Sequence, residues 1–135
     1  MKSIKPRYLT KSRYKLARQC PTKLFFSGKP RVYSNIKQED SFLRALADGG
    51  IQVGELAKCY FPGGIDIDTL DYDEALIRTN EALAQPNAII YEAAINHGNC
   101  FVRVDILIKK DNKIQLIEVK AKSFNGLNDE LPHKL

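Results

Sequence analysis

Residues 101–121 read FVRVDILIKKDNKIQLIEVKA. Two apolar runs of strand length flank Asp111-Asn112, a dipeptide suited to a two-residue hairpin turn, with Lys110 and Lys113 on either side. If those lysines pair, Asp105 falls directly opposite Glu118. Alternation then puts Arg103 and Leu107 on the face of Asp105, and Leu116 and Lys120 on the face of Glu118. Directly opposed side chains stand roughly 4.5–5.5 Å apart at Cβ, so two carboxylates in this register repel unless a divalent cation lies between them. The other face, with Val102, Val104, Ile106, Ile108, Ile117 and Val119, is expected to be core.

Upstream, residues 88–96 supply a further strand, so that 88–96, 100–109 and 113–121 make a three-stranded antiparallel meander. A Gly98-Asn99 loop places Glu92 opposite Asp105, and a His97-Gly98 loop places it opposite Arg103. Either register leaves Glu92 on the face of Asp105. Before the meander the period is helical. Asp71-Tyr72-Asp73-Glu74 has the form of a capping box and opens a helix that runs to about Ala84, ahead of Gln85-Pro86. Residues 38–60 carry an apolar stripe of Phe42, Leu43, Leu46, Val53, Leu56, Ala57 and Tyr60. Asp48-Gly49-Gly50 interrupts it, which allows either two helices or one kinked helix. Phe61-Pro62-Gly63-Gly64 closes that region. Residues 9–20 read as a short helix capped by Thr10 or Ser12 and ended with the help of Pro21. Residues 21–37 read as irregular chain with a turn at Gly28-Lys29-Pro30.

The chain has 135 residues, the length of one domain, and a net charge of +5 that is unevenly distributed. Residues 1–38 hold eleven Lys or Arg and no acid, whereas residues 39–135 hold ten basic and sixteen acidic residues. A basic arm on a mildly acidic body suits a polyanionic partner, and Lys11, Arg13, Lys15 and Arg18 are the candidate phosphate-tracking residues. No apolar run is long enough to span a membrane, and no apolar stretch follows the basic N-terminus as a secretory signal would require. Cys20, Cys59 and Cys100 are odd in number and widely spaced, which fits a reducing cytoplasm rather than a disulfide framework.

The acidic face has a chemical use. Hydrolysis of a phosphodiester needs a nucleophile from water and relief of charge at phosphorus. Mg²⁺ held by one or two carboxylates supplies both. A lysine beside it can position or deprotonate the water, or stabilise developing charge. The backbone carbonyl of Val119, between Glu118 and Lys120, adds a hard oxygen. E-x-K alternation alone also describes an ordinary solvated strand face.

Asp105, followed after twelve residues by Glu118-Val119-Lys120, resembles the PD-(D/E)xK nuclease motif. Its context is similar to the RecB-like branch that includes CRISPR-associated nucleases, and more narrowly to an uncharacterised bacterial family of that branch. The matching segments are QVGELAKCYFPGG, ALIRTNEAL, AIIYEAAI, FVRVDILIKK and LIEVKAKS, within residues 9–123. The resemblance implies an α/β, restriction-endonuclease-like core acting on DNA with Mg²⁺ or Mn²⁺. Asp105 and Glu118 match the metal carboxylates, and Lys120 matches the catalytic lysine. Glu55 lies where related enzymes place a metal ligand on a helix, although a surface glutamate paired with Lys58 is the other reading. Glu92 matches an acid of the narrower family without an assigned role. Cys20-Pro21 matches a pair that in several RecB-like nucleases gives one iron–sulfur ligand. The other ligands of those nucleases come from cysteines after the nuclease core, and such clusters commonly take four; that set is missing here and Cys59 and Cys100 stand in the wrong context, so an iron–sulfur cluster is not expected. Cys20 is therefore expected to be a small buried apolar residue.

The family core continues past the E-x-K strand with a crossover helix and a further strand, and only fifteen residues follow Lys120. A parallel crossover takes a dozen or more residues before its strand begins. The expectation is thus a basic arm with a short helix (1–37), a partial nuclease core (38–123) and a polar tail (124–135), with the C-terminal crossover helix and later strand missing. Such a fragment is expected to cleave weakly or not at all alone, to need a missing C-terminal half, or to self-associate through an open sheet edge. A non-catalytic nucleic-acid-binding remnant is the alternative.

Overall fold

A computed structural model of the chain describes residues 7–27, 32 and 41–121. The order is β1 (Leu9–Thr10), α1 (Lys11–Gln19), α2 (Pro21–Ser27), α3 (Ser41–Tyr60), β2 (Ile65–Asp66), α4 (Tyr72–Leu83), β3 (Asn87–His97), β4 (Cys100–Lys110) and β5 (Lys113–Ile117). These residues form a mixed α/β structure with four helices and a five-stranded mixed sheet. The turn expected at Gly28-Lys29-Pro30 and the tail 124–135 lie outside the described residues.

The antiparallel meander β3–β4–β5 makes up most of the sheet, with β3 and β4 at its centre and β5 on an edge. Its first turn is Gly98-Asn99, with His97 opposite Cys100, which selects the register that aligns Glu92 with Asp105. Gly98 has φ 54°, a conformation open to glycine without a Cβ penalty. The second turn holds Asp111 at φ 51°, in the left-handed region that a short polar side chain tolerates. Lys110 pairs with Lys113, and the ladder runs as far as Ile106 opposite Ile117. There it stops, so the strand expected over 113–121 ends at 117. Two parallel two-residue strands complete the sheet. Strand β2 pairs with β3 through Ile65↔Ile90 and Asp66↔Tyr91. Strand β1 pairs with β4 through Leu9↔Cys100 and Thr10↔Phe101, on the edge that β5 occupies further along.

The helices follow their local signals with two differences. Thr10 caps α1, its Oγ1 accepting from Arg13 N–H at 3.3 Å. Pro21 does not precede irregular chain; it is the first residue of α2, where its missing N–H costs nothing. Helix α3 runs unbroken through Gly49-Gly50. At α4, Asp71 Oδ1 accepts from the N–H groups of Asp73 and Glu74 at 3.0 and 3.1 Å. The reciprocal half of the box is relayed. Glu74 Oε2 accepts from Thr69 Oγ1, and Thr69 Oγ1 accepts from Asp71 N–H.

The core lies between the sheet and α4. Ala75 and Ala82 of α4 cluster with Ile67, Ala88, Ile90, Ala94, Phe101 and Leu107. Ile67 and Ile90 are completely buried, each a burial of about 1.5–3 kcal/mol. This corrects the expectation that one face of the hairpin is core and the other open. Leu107, on the nominally open side, is buried under α4, while Val102, on the nominal core side, is exposed. Val104 and Ile106 are buried as expected, and Ile108, Ile117 and Val119 are half-buried. The reason is that the central strands are covered from both sides, as in sheets flanked by helices.

On the face away from α4, Tyr91 fixes the chain between α3 and β2. Its hydroxyl donates to Phe61 O and accepts from Gly64 N–H at 3.0 Å. A Cβ at Gly64 would overlap the Tyr91 ring, so only glycine permits this approach.

Candidate active site

The end of the β4–β5 ladder builds the site. Beyond Ile117 the chain leaves the strand, and Val119 N–H donates to Asp105 Oδ2 at 2.5 Å instead of continuing the ladder. Residues 118–121 therefore do not follow strand alternation. One cavity of about 520 Å³ is lined by Glu55 and Lys58 of α3, Glu92 of β3, Asp105 and Ile106 of β4, and Val119 and Lys120. An adjoining cleft of about 400 Å³ is lined by Asp105 and Glu118 with Thr10, Lys11, Tyr72 and Arg103 among others. Asp105 borders both. The expected single face holding Glu92, Asp105, Glu118 and Lys120 is thus divided: Glu118 borders the cleft and the other three border the cavity.

The charges are interlocked. Glu118 Oε1 accepts from both Lys11 Nζ and Lys120 Nζ. The Lys11 ammonium first, then that of Lys120, holds the Glu118 carboxyl below its ordinary range. In return Glu118 raises the pKa of Lys120. Lys58 Nζ contacts Asp66 Oδ2 at 2.5 Å and Glu55 Oε1 at 2.8 Å, and these carboxylates, Asp66 first, push it well above an ordinary lysine. Glu55 pairs with Lys58, as one of its two sequence readings expects, and it also borders the cavity. Glu92 stands apart from these pairs. Burial, and then the Asp105 carboxylate, raise its pKa, with Arg103 opposing. Its backbone is at φ 56°, in the left-handed region that costs an ordinary residue about 1–2 kcal/mol. No other described residue of the strands has a positive φ.

The four basic residues singled out on the N-terminal helix do not form one surface. At 100° per residue, Lys11, Lys15 and Arg18 share a face and Arg13 points away from it. Arg13 Nη1 donates to Tyr8 O at 2.5 Å, which ties the helix start to the preceding chain. Lys15 and Arg18 are exposed, and Lys11 is drawn to Glu118. Sequence reasoning set Lys11 on a basic N-terminal arm, apart from the nuclease core. The two-residue strand β1 brings it to the site, and a strand that short has no periodic signature. Cys20 is half-buried rather than buried, with its thiol at the start of α2, where the backbone N–H groups of Lys23 and Thr22 lower its pKa. Cys59 and Cys100 are exposed, and all three cysteines are free.

The cavity's donors, the Glu55, Glu92 and Asp105 carboxylates and the Val119 backbone, are hard oxygens of the kind Mg²⁺ and Mn²⁺ take. They fit such an ion in chemistry. Among the described residues, no three Asp, Glu, His or Cys side chains are gathered as an ion-binding group. No helix among the described residues is long and apolar enough to cross a membrane. No family model matches the chain, and neither a curated protein nor a solved structure matches it.

Proposed function

We propose that the chain carries a metal-dependent phosphodiesterase site of the PD-(D/E)xK nuclease type, with a restriction-endonuclease-like core and DNA as its substrate. The observation that carries this reading is the bond from Val119 N–H to Asp105 Oδ2. It joins the E-x-K segment to the upstream aspartate where the two strands part, and sets Asp105, Val119 and Lys120 around one cavity with Glu92 and Glu55.

In this reading Asp105, Glu92 and the Val119 carbonyl hold the Mg²⁺ or Mn²⁺, with Glu55 supplied from α3 and Glu118 from the adjoining cleft. The bound ion supplies a polarised phosphoryl oxygen and a more acidic water. Lys120 adds a fixed positive charge at the cavity wall, placed to offset negative charge that develops on phosphorus. Burial of Glu92 beside Asp105 is unfavourable for two carboxylates alone and becomes favourable with a cation between them.

The test is cleavage of labelled single-stranded and duplex DNA with Mg²⁺ and with Mn²⁺, comparing the chain with Asp105→Asn, together with Mn²⁺ titration of both. Mn²⁺ binding that Asp105→Asn lowers by about ten- to a hundredfold is expected, the scale on which metal-site changes act, together with weak metal-dependent cleavage that the substitution abolishes. Equal cleavage by the two proteins overturns the reading. DNA binding with neither cleavage nor Mn²⁺ binding assigns the chain to the non-catalytic alternative.

A further inference from the structure

The cleft beside the candidate cavity is built differently from it. Its floor is Phe101, Val102, Arg103 and Asp105 of β4, one wall is Thr10, Lys11 and Ser12, and the other is Leu70 and Tyr72. Arg103 is spent on structure, donating to Ile67 O at 3.0 Å and to Thr69 O. The cation that faces the cleft with a movable head is therefore Lys11, whose side chain is 67% exposed.

Two features of Lys11 are not those of a loose basic arm. First, its backbone is fixed. Leu9 and Thr10 pair with Cys100 and Phe101, Leu9 N–H donates to Asn99 O at 2.7 Å, and Tyr8 is buried against Tyr72 and Phe101 with ring centroids 5.5 and 5.4 Å away. Secondly, its charge is not neutralised. Lys11 and Lys120 share one oxygen of Glu118, and with Arg103 and Asp105, which line the same cleft, three cations meet two carboxylates and leave one positive charge in excess. A singly charged phosphodiester balances it. Alongside lie exposed apolar surfaces of Leu70, Tyr72 and Val102, against which a flat base can rest.

We propose that this cleft is a nucleotide subsite for single-stranded nucleic acid, in which Lys11 binds the phosphate next to the scissile one and the attached base rests against Tyr72, Leu70 and Val102. The proposal rests on the nuclease reading, because Asp105 is the wall that the cleft shares with the candidate cavity. It makes Lys11 a positioning residue: it holds the strand, and the chemistry belongs to the other side of Asp105.

The test is binding without metal, so that its outcome is separate from that of the cleavage assay. A fluorescent oligothymidylate is titrated by anisotropy in chelator-treated buffer against the unaltered chain, Lys11→Gln, Lys11→Arg and Lys113→Gln. Lys113 lies at the far end of the β4–β5 hairpin and makes the same change in net charge. Lys11→Gln is expected to weaken binding about tenfold, as loss of one charge-assisted bond does. It should also flatten the slope of log affinity against log salt by about 0.7, the share of one single-strand phosphate. Lys11→Arg restores the affinity, and Lys113→Gln leaves it within twofold. An abasic analogue of the strand binds more weakly than the oligothymidylate. Equal binding by Lys11→Gln and the unaltered chain, or equal losses from Lys11→Gln and Lys113→Gln, overturns the assignment of Lys11. Equal binding of the abasic strand overturns the base contact. If Asp105→Asn leaves cleavage unaffected while Lys11→Gln still weakens binding, the catalytic reading falls and the subsite stands.

Discussion

Glu92 is held against three local preferences at once. It has a left-handed backbone in the middle of a strand, partial burial of an acid, and a second carboxylate, Asp105, as its neighbour. Residues kept in such a state are concentrated at functional sites, where the surrounding fold sustains the strain. The pH dependence has a definite sign. Its pKa is raised in the folded chain, first by burial. The folded state therefore holds the proton more tightly than the unfolded one. The contribution of Glu92 to stability is greatest below the ordinary glutamate pKa of about 4.3 and is lost as pH rises through the folded value. Replacing Glu92 with Gln removes the charge and keeps the shape. Urea midpoints should show Glu92→Gln to be more stable than the unaltered chain at pH 7, with the difference vanishing below about pH 4. A variant less stable at pH 7 would mean that the carboxylate has a structural partner. Nothing in AIIYEAAI marks this bend, because a glutamate with positive φ has no compositional sign, unlike Gly98 or Asp111.

Helix α4 shows how an element is attached at several points. Near its centre Thr79 is completely buried, and its Oγ1 accepts from Ala94 N–H of β3 at 2.9 Å. At its C-terminal end Lys109 Nζ donates to Leu83 O at 2.6 Å, a cation placed on a carbonyl that the helix leaves open. Before its first turn Arg103 binds Ile67 O and Thr69 O. Thr79→Val keeps the shape but strands a buried N–H, which costs about 1–3 kcal/mol. Thr79→Ser should recover most of that loss, and urea midpoints at an unchanged slope would measure both. The cap of α4 and the register of the β4–β5 hairpin were legible in the sequence because each depends on residues within a few positions, whereas His97-Gly98-Asn99 allowed two registers for β3–β4 and the structure takes the Gly98-Asn99 one. The unbroken course of α3 was left undecided by Gly49-Gly50, and α2 was missed because its opening proline reads equally well as a terminator. Strands β1 and β2, with two residues each, were invisible for want of a period. Their absence from the sequence reading hid the proximity of Lys11 to Glu118 and that of Asp66 to Lys58.

Across the whole molecule, protection should fall from the centre of the sheet outward. The amides of β3 and β4 are paired along ten positions and sit over the core. Strand β5 pairs at five positions, with Ile114 and Leu116 exposed, and among the described residues its other edge has no strand beyond it. In native-state hydrogen exchange the slowest amides should fall between Ile89 and Val104. Those of Lys113–Ile117 and Leu9–Thr10 should open with lower free energies. Equal protection in β5 and the β3–β4 centre would show that another chain pairs with the β5 edge. The contact between Lys11 and Glu118 spans 107 positions of sequence, whereas the β3–β4 hairpin closes through a two-residue turn. Loop closure makes contacts of that range slow to form, and local hairpins form in microseconds. The meander can therefore assemble as soon as its own residues meet, while the Lys11–Glu118–Lys120 junction must wait for the start of the chain to return to the edge of β4. Time-resolved refolding would see this as secondary structure that forms before the Lys11–Glu118 contact, and an early collapsed chain would hold its acidic residues in place before the lysine arrives that pairs with them.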